Sequence, residues 1–215
     1  GHVRIYQYLS ESWTQLGENI VGESEGDKFG NAVSLSSDGK TAAIAGYLND
    51  GNGTDSGHVR IYTYNGSSWV QLGEDIDGEA AEDQSGGSIS LSKDGKTLAI
   101  GATGNDENGA DSGHVRIYNY DGTSWVQMGG DIDGKSAGDL SGGSISLSSD
   151  GKILAIGATG NDSGHVRIYQ YLSESWTQLG EDIVGESEGD LSGGSVSLSS
   201  NGSIVSIGAS GNNGN

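Results

Sequence analysis

Gly-His-Val-Arg-Ile-Tyr stands at residues 1–6 and returns at 57–62, 113–118 and 164–169. The starts are 56, 56 and 51 residues apart, and a fixed period of that size marks a repeat architecture. Within the hexapeptide, β-branched and aromatic residues alternate with polar ones, which is the pattern of a half-buried strand.

Working outward from Gly113 completes one repeat. Upstream, Ser88-Ile-Ser-Leu-Ser92 alternates small polar with aliphatic residues, Asp94-Gly95 gives a hairpin signal of type I′, and Lys96–Ala102 alternates again. A polar loop, Thr103–Ser112, leads into His114–Tyr120. Downstream, Asp121-Gly122 turns the chain into Ser124-Trp-Val-Gln-Met128, and the acidic connector Asp131–Asp139 reaches the next repeat. Each repeat thus reads as a four-stranded antiparallel meander. Small residues dominate its first two strands, and Tyr118, Tyr120 and Trp125 supply bulk in the last two. Wedge-shaped units of this kind predict an all-β fold, a β-propeller of four-stranded antiparallel blades. A β-helix has shorter coils and needs no hairpin in every repeat.

The chain forms a single repeat domain over residues 1–215. Its blades are expected at about 29–72, 85–128 and 141–179, with a fourth assembled from 193–209 plus 1–17. In that arrangement the N-terminal third and fourth strands pair with the C-terminal first and second, closing a ring of four. Part of a larger ring is the alternative. Residues 1–27 repeat 164–190 with one difference, Asn19 for Asp182, which points to duplication within a longer tandem run. The start in mid-repeat reads as a fragment or processed product.

Composition narrows the function classes. Thirty Asp and Glu against ten Lys and Arg leave a net charge of −20, a field that repels nucleic acid and anionic membrane. No apolar run reaches the roughly 18 residues of a membrane helix, so no membrane insertion is expected. With no Cys, neither disulfides nor Cys-ligated zinc can form. The Ser, Asp and His residues follow the repeat, and none is singled out as a nucleophile or general base, so an enzyme is not expected.

Asp27-Lys-Phe-Gly-Asn-Ala-Val-Ser-Leu-Ser-Ser-Asp-Gly-Lys-Thr-Ala-Ala-Ile-Ala-Gly46, followed by Gly57–Tyr62, resembles the FG-GAP repeat, the unit of the integrin α-chain propeller. That family combines a Phe-Gly opening, a Gly-Ala-Pro ending and a Gly-x-Val-x-Val-Tyr strand. Only Phe29-Gly30 keeps the Phe; Ser85, Ser141 and Ser192 replace it, and Gly101-Ala-Thr, Gly157-Ala-Thr and Gly208-Ala-Ser stand at the ending, so the branch is divergent. The resemblance implies an extracellular or cell-surface propeller for adhesion or ligand binding, with a protein or glycan partner. The family's calcium hairpin does not carry over, because Ser34, Ser36 and Ala42 replace its acids.

Calcium has another candidate between the second and third strands. Asp50-x-Asn52-Gly-x-Asp55 and Asp106-x-Asn108-Gly-x-Asp111 space side-chain oxygens around a Gly turn, as a hard cation requires. The same residues suit an ordinary turn, which the shortened Asn161-Asp-Ser163 favours. Trp13, Trp69, Trp125 and Trp176 recur once per repeat, either as sugar-stacking platforms of a multivalent lectin or, the favoured reading, as packing between blades. His2, His58, His114 and His165 share one repeat position and read as strand-edge residues; Arg4, Arg60, Arg116 and Arg167 read as blade-to-blade ties. Asn52, Asn65 and Asn201 head N-glycosylation sequons. A repeating unit of an extracellular filament, self-associating through open blade edges, is the remaining alternative.

Overall fold

The structure, a computed structural model, describes residues 1–214, and among these every regular element is a strand. Three whole blades run in sequence. Blade 1 consists of Val33–Leu35, Thr41–Gly46, His58–Tyr64 and Trp69–Gln71; blade 2 of Ser88–Leu91, Thr97–Ala102, His114–Tyr120 and Trp125–Gln127; blade 3 of Ser144–Leu147, Ile153–Ala158, His165–Leu172 and Ser175–Gln178. Each is an antiparallel meander. A fifth, two-residue strand pairs back onto the start of each third strand: Ile76–Asp77 opposite His58 and Val59, Ile132–Asp133 opposite His114 and Val115, and Ile183–Val184 opposite His165 and Val166. These pieces lie in the segments expected to be plain connectors, where two residues are too few to show a period.

The Asp-Gly hairpins also depart from expectation. Gly39 has φ +68°, whereas Asp38 stays outside the left-handed region, so the turn is not type I′. Gly39 N–H donates to Ser36 O at 2.9 Å and Ser36 N–H to Thr41 O at 2.9 Å, a type I turn followed by a left-handed Gly. Side chains select it. Ser36 Oγ donates to Asp38 Oδ1 at 2.7 Å, and that oxygen also accepts the Lys40 N–H. The same bonds recur at Ser92–Asp94 and Ser148–Asp150.

The core lies between blades rather than within them. Ala43, Ala45, Val59 and Ile61 of blade 1 receive Leu91, Leu98, Ile100 and Tyr118 of blade 2. Ala99, Val115 and Ile117 of blade 2 likewise receive Leu154, Ile156 and Tyr169 of blade 3. The Ala-rich face of one sheet makes room for the bulky face of the next. Serine hydroxyls stitch the innermost strands together: Ser34, Ser90 and Ser146 accept the N–H groups of Leu91, Leu147 and Leu198 in the following blade at 3.0–3.1 Å. The tips of the first hairpins converge on one cavity of about 510 Å³, lined by Leu35, Leu91, Leu147 and Leu198 from the four successive repeats.

The expected closing sheet does not form. At the N-terminus, His2–Val3 pairs with Ile20–Val21 and Tyr6–Leu9 with Ser12–Gln15; at the C-terminus, Ser192–Leu198 pairs with Val205–Ala209. No ladder joins the two ends among the described residues. Leu35 is 49% exposed where its counterpart Leu91 is 9% exposed, because no whole blade covers the outer face of blade 1.

Tryptophan reinforces each junction. Trp69, Trp125 and Trp176 donate their indole N–H to the carbonyls of Leu16, Leu72 and Met128 in the preceding blade, at 2.7–2.9 Å. Each ring also lies 5.2–5.4 Å from a tyrosine on its own blade: Tyr64, Tyr120 and Tyr171. The glycine after each accepting residue has positive φ and leaves no room for a Cβ: at Gly73 it would stand 3.0 Å from Trp125 Cδ1. Trp13, on the N-terminal half-blade, is 69% exposed. Trp125→Ala is therefore expected to cost about 3 kcal/mol of unfolding free energy, while Trp13→Ala changes it by no more than about 0.5 kcal/mol, measured by urea denaturation.

Candidate functional site

In a meander the first and third turns share one end of the blade, so the loops between second and third strands and the blade connectors share the other. That second rim carries the candidate calcium residues. Asp50 Oδ1 accepts the Asp55 N–H at 2.8 Å, and Asp106 Oδ1 accepts the Asp111 N–H at 2.8 Å. Asn52 donates its amide to Gly78 O and Glu79 O, both at 2.9 Å, and Asn108 donates to Gly134 O at 2.8 Å. Asp55 and Asp111 adopt φ +53°. These side chains fasten the loop to itself and to the next connector, and none of Asp50, Asp55, Asp106 and Asp111 belongs to a cluster of three His, Asp or Glu ligand atoms among the described residues.

The sequon asparagines are similarly occupied. Asn65 Oδ1 accepts the N–H groups of Ser67 and Ser68, and its amide donates to Ser68 Oγ at 3.2 Å. Asn201 Oδ1 accepts from Ser199 Oγ, Ser203 N–H and Ser203 Oγ. All three sequon asparagines are exposed as residues. The aromatic candidates Trp69, Trp125 and Trp176 are half-buried at the blade junctions, and Trp13 is exposed at the N-terminal half-blade.

Arginine ties the blades, though chiefly through backbone oxygens. Arg116 Nη2 donates to Asp77 O at 2.7 Å and Arg167 Nη2 to Asp133 O at 3.0 Å, each reaching the preceding blade's fifth strand; Arg60 Nη2 reaches Val21 O at 3.4 Å. The Phe-to-Ser change at the start of the repeat finds its physical reason here. The Arg60 guanidinium lies 4.5 Å above the Phe29 ring, whereas Arg167 donates to Ser141 Oγ at 3.0 Å. One contact is cation–π and the other a hydrogen bond, while Ser85 Oγ beside Arg116 has no partner and the Nε of all three arginines stays unpaired.

Three of the histidines are not strand-edge residues. His58, His114 and His165 each start a third strand, between the second strand on one side and the two-residue fifth strand on the other, and His58 and His114 are 0% and 1% exposed, whereas His2 pairs on one side only and is exposed. Neither ring nitrogen of His58 or His114 has a hydrogen-bond partner. Carboxylates stand just beyond bonding distance: Asp75 is 3.5 Å from His58 Nδ1, and Asp131 and Glu79 are 3.7 and 3.8 Å from His114 Nδ1. Sequence reading missed this pocket because its acids come from the connectors, but the repeated Asp immediately before each fifth strand (Asp75, Asp131 and Asp182) was a visible signal.

Burial pushes the His58, His114 and His165 imidazoles below the usual histidine value, and Arg60, Arg116 and Arg167 beside them add to the effect. Burial pushes the Asp77, Glu79 and Asp133 carboxyls up; adjacent carboxylates add to this, while Arg116 opposes it at Glu79. Histidines shifted this way contribute stability that is complete above their unfolded value of about 6.5 and is lost as pH falls through the folded value. The raised carboxyls act in the opposite sense, gaining stability as pH falls. Comparing the parent with His114→Gln isolates the histidine. In buffer containing EDTA, the parent is expected to lose more stability than the variant as pH drops below about 6.5, read from urea midpoints across the pH series.

Comparison with known proteins agrees with this architecture. The FG-GAP repeat matches at residues 22–62 and 76–118. No curated protein matches. Among solved structures, a Bacteroides uniformis protein provisionally assigned as a 6-phosphogluconolactonase superposes with TM-score 0.62 at 14% identity, over 96% of this chain and 57% of its own. A functionally unknown Desulfotomaculum acetoxidans protein gives TM-score 0.62 at 17% identity, over 94% and 54%. TolB from Acinetobacter baumannii gives 0.54 at 14%, over 96% and 42%. The chain therefore spans roughly half the length of these structures, and at such identities the likeness concerns the fold alone.

Proposed function

We propose, for a chain whose FG-GAP repeats build a propeller-like stack of blades, an extracellular or cell-surface binding module without catalytic activity of its own. The observation carrying this reading is the loop rim. Near-identical blades hold loops of differing length, Leu48–Asp55, Gly104–Asp111 and Gly160–Asp162, and side-chain bonds fix the two longer loops in place. A rigid frame with variable loops is an arrangement suited to recognition. The Asp and Glu residues concentrated on that rim suit a protein partner carrying basic residues, or a glycan with amino groups.

A lectin using the tryptophans is the weaker reading, since three of the four indoles already donate across blade junctions. Self-association is favoured by a different observation: Val205–Ala209 and Tyr6–Leu9 each pair on one side only, leaving ladder groups free. Sedimentation over a range of concentrations separates it from a monomeric module.

The test is a binding screen against glycans and purified extracellular matrix proteins, with paired variants. Asp50→Asn with Asp106→Asn on the loop rim is expected to weaken a true ligand at least tenfold. Lys40→Gln with Lys96→Gln on the opposite rim is expected to leave it unchanged. Equal effects from both pairs would place the contact elsewhere. Turnover of 6-phosphogluconolactone by the purified chain would overturn the non-enzymatic reading.

A further inference from the structure

The buried histidines form a pocket that recurs at blade junctions with one telling substitution. Glu23, Glu79 and Lys135 occupy the same place in successive connectors, and Asp75, Asp131 and Asp182 the same place before successive fifth strands. Around His58 the three groups are Glu23, His58 and Asp75, with one ligand atom from each within 4.8 Å of the others. Around His114 two such sets overlap, Glu79 with Asp83 and Asp131 with Asp133. At the third junction the Lys135 ammonium replaces the glutamate and lies 2.6 Å from Asp182 Oδ2. There the chain supplies its own cation.

We propose that the His58 and His114 pockets each bind a divalent transition metal ion of the zinc type, held between blades by one imidazole and carboxylates from two connectors. Four observations support this. First, His58 and His114 are fully buried, neither ring nitrogen has a partner, and Nδ1 faces the carboxylates. Second, Asp133 Oδ1 beside His114 is buried with no donor. Third, metal bonds of about 2.0–2.2 Å in tetrahedral geometry put adjacent ligand atoms about 3.3–3.6 Å apart. The separation of 3.5 Å at His58–Asp75 already falls in that range, those of 3.7 and 3.8 Å at His114 need contract by only a few tenths of an ångström, and the remaining ligand atoms of each set lie within 4.8 Å of one another. Fourth, the junction that lacks the glutamate contains an ammonium group at the corresponding aspartate.

Donor type selects the ion. An imidazole nitrogen with a few carboxylates suits zinc, cobalt or nickel, whereas calcium seeks six to eight oxygens. Arg116 does not close the pocket, because it faces Glu79 Oε1 at 3.5 Å while Oε2 points toward His114. Glu79, Asp131 and Asp133 outnumber that one guanidinium, so the pocket remains net negative. The side chains of Glu79 and Asp131 are 45% and 28% exposed, which gives an ion access from the rim.

Zinc titration of the full chain in competition with a chromophoric chelator tests this, with cobalt absorption reporting the coordination. The expected result is two ions per chain and a tetrahedral cobalt spectrum. Glu79→Lys should reduce the number to one while circular dichroism stays unchanged, and Lys135→Glu should raise it by creating the missing pocket. His114→Gln should weaken one ion at least tenfold. Should Glu79→Lys fail to fold, Lys135→Glu and His114→Gln still decide the matter. No binding at millimolar zinc, or a stoichiometry that none of these variants changes, overturns the proposal.

Discussion

Close approach of backbone to backbone at the blade junctions is the constraint on which everything else depends. Gly57, Gly113 and Gly164, the first residues of the recurring hexapeptide, form parallel bridges with Ser85, Ser141 and Ser192 of the following blade. Each has positive φ, and a Cβ on Gly57 would lie 2.6 Å from Ser85 N and nearer still to its carbonyl oxygen. Only glycine meets both demands. With that contact made, the Ala face of one sheet reaches the bulky face of the next, the serine stitches form, and Trp125 can place its N–H on Leu72 O. Removing the close approach would separate all these partners together, because each acts across the same gap.

Much of this was legible in the sequence because the repeat displays it. The meander follows from alternation around Gly113–Tyr118, and the packing role of tryptophan follows from its recurrence in Ser-Trp-x-Gln. What stayed hidden depends on partners from other repeats. Ile76–Asp77 is a strand only because His58 and Val59 offer an edge to it. Junction bonds such as Leu91 N–H to Ser34 Oγ join partners 57 residues apart and no local pattern encodes them, so the pairing of the two ends was not legible in the sequence. His58, His114 and His165 were misplaced for the same reason. Their position in the third strand was clear, but their burial depends on the fifth strand and on connectors contributed by two repeats.

The charge distribution shows how a repeat tolerates variation. Phe29 and Ser141 contact the same arginine position by different forces, and Lys135 stands where Glu79 and Glu23 do. Local pairing is preserved while chemical identity changes. The acidic surplus is thus partly structural: Asp38, Asp94 and Asp150 fasten hairpins, and Asp50 and Asp106 fasten loops. Hydrogen bonding to Ser36 and Ser148 holds the Asp38 and Asp150 carboxyls below the usual range, which keeps them charged under mildly acidic conditions. Net charge alone would suggest only solubility, yet many of these carboxylates have defined partners.

The near-constant sequence span of the junction bonds has a bearing on synthesis. Leu72 O and Trp125 are 53 residues apart, Ser34 and Leu91 are 57, and Met128 O and Trp176 are 48. No blade must wait for a distant terminus before docking; its partner is always the segment translated just before it. The chain can therefore fold vectorially as it leaves the ribosome, each new sheet completing on the finished one behind it. Apart from the N-terminal edge at Tyr6–Leu9, exposed edges during translation are limited to the advancing front, which restrains misassembly among sequences as alike as 1–27 and 164–190.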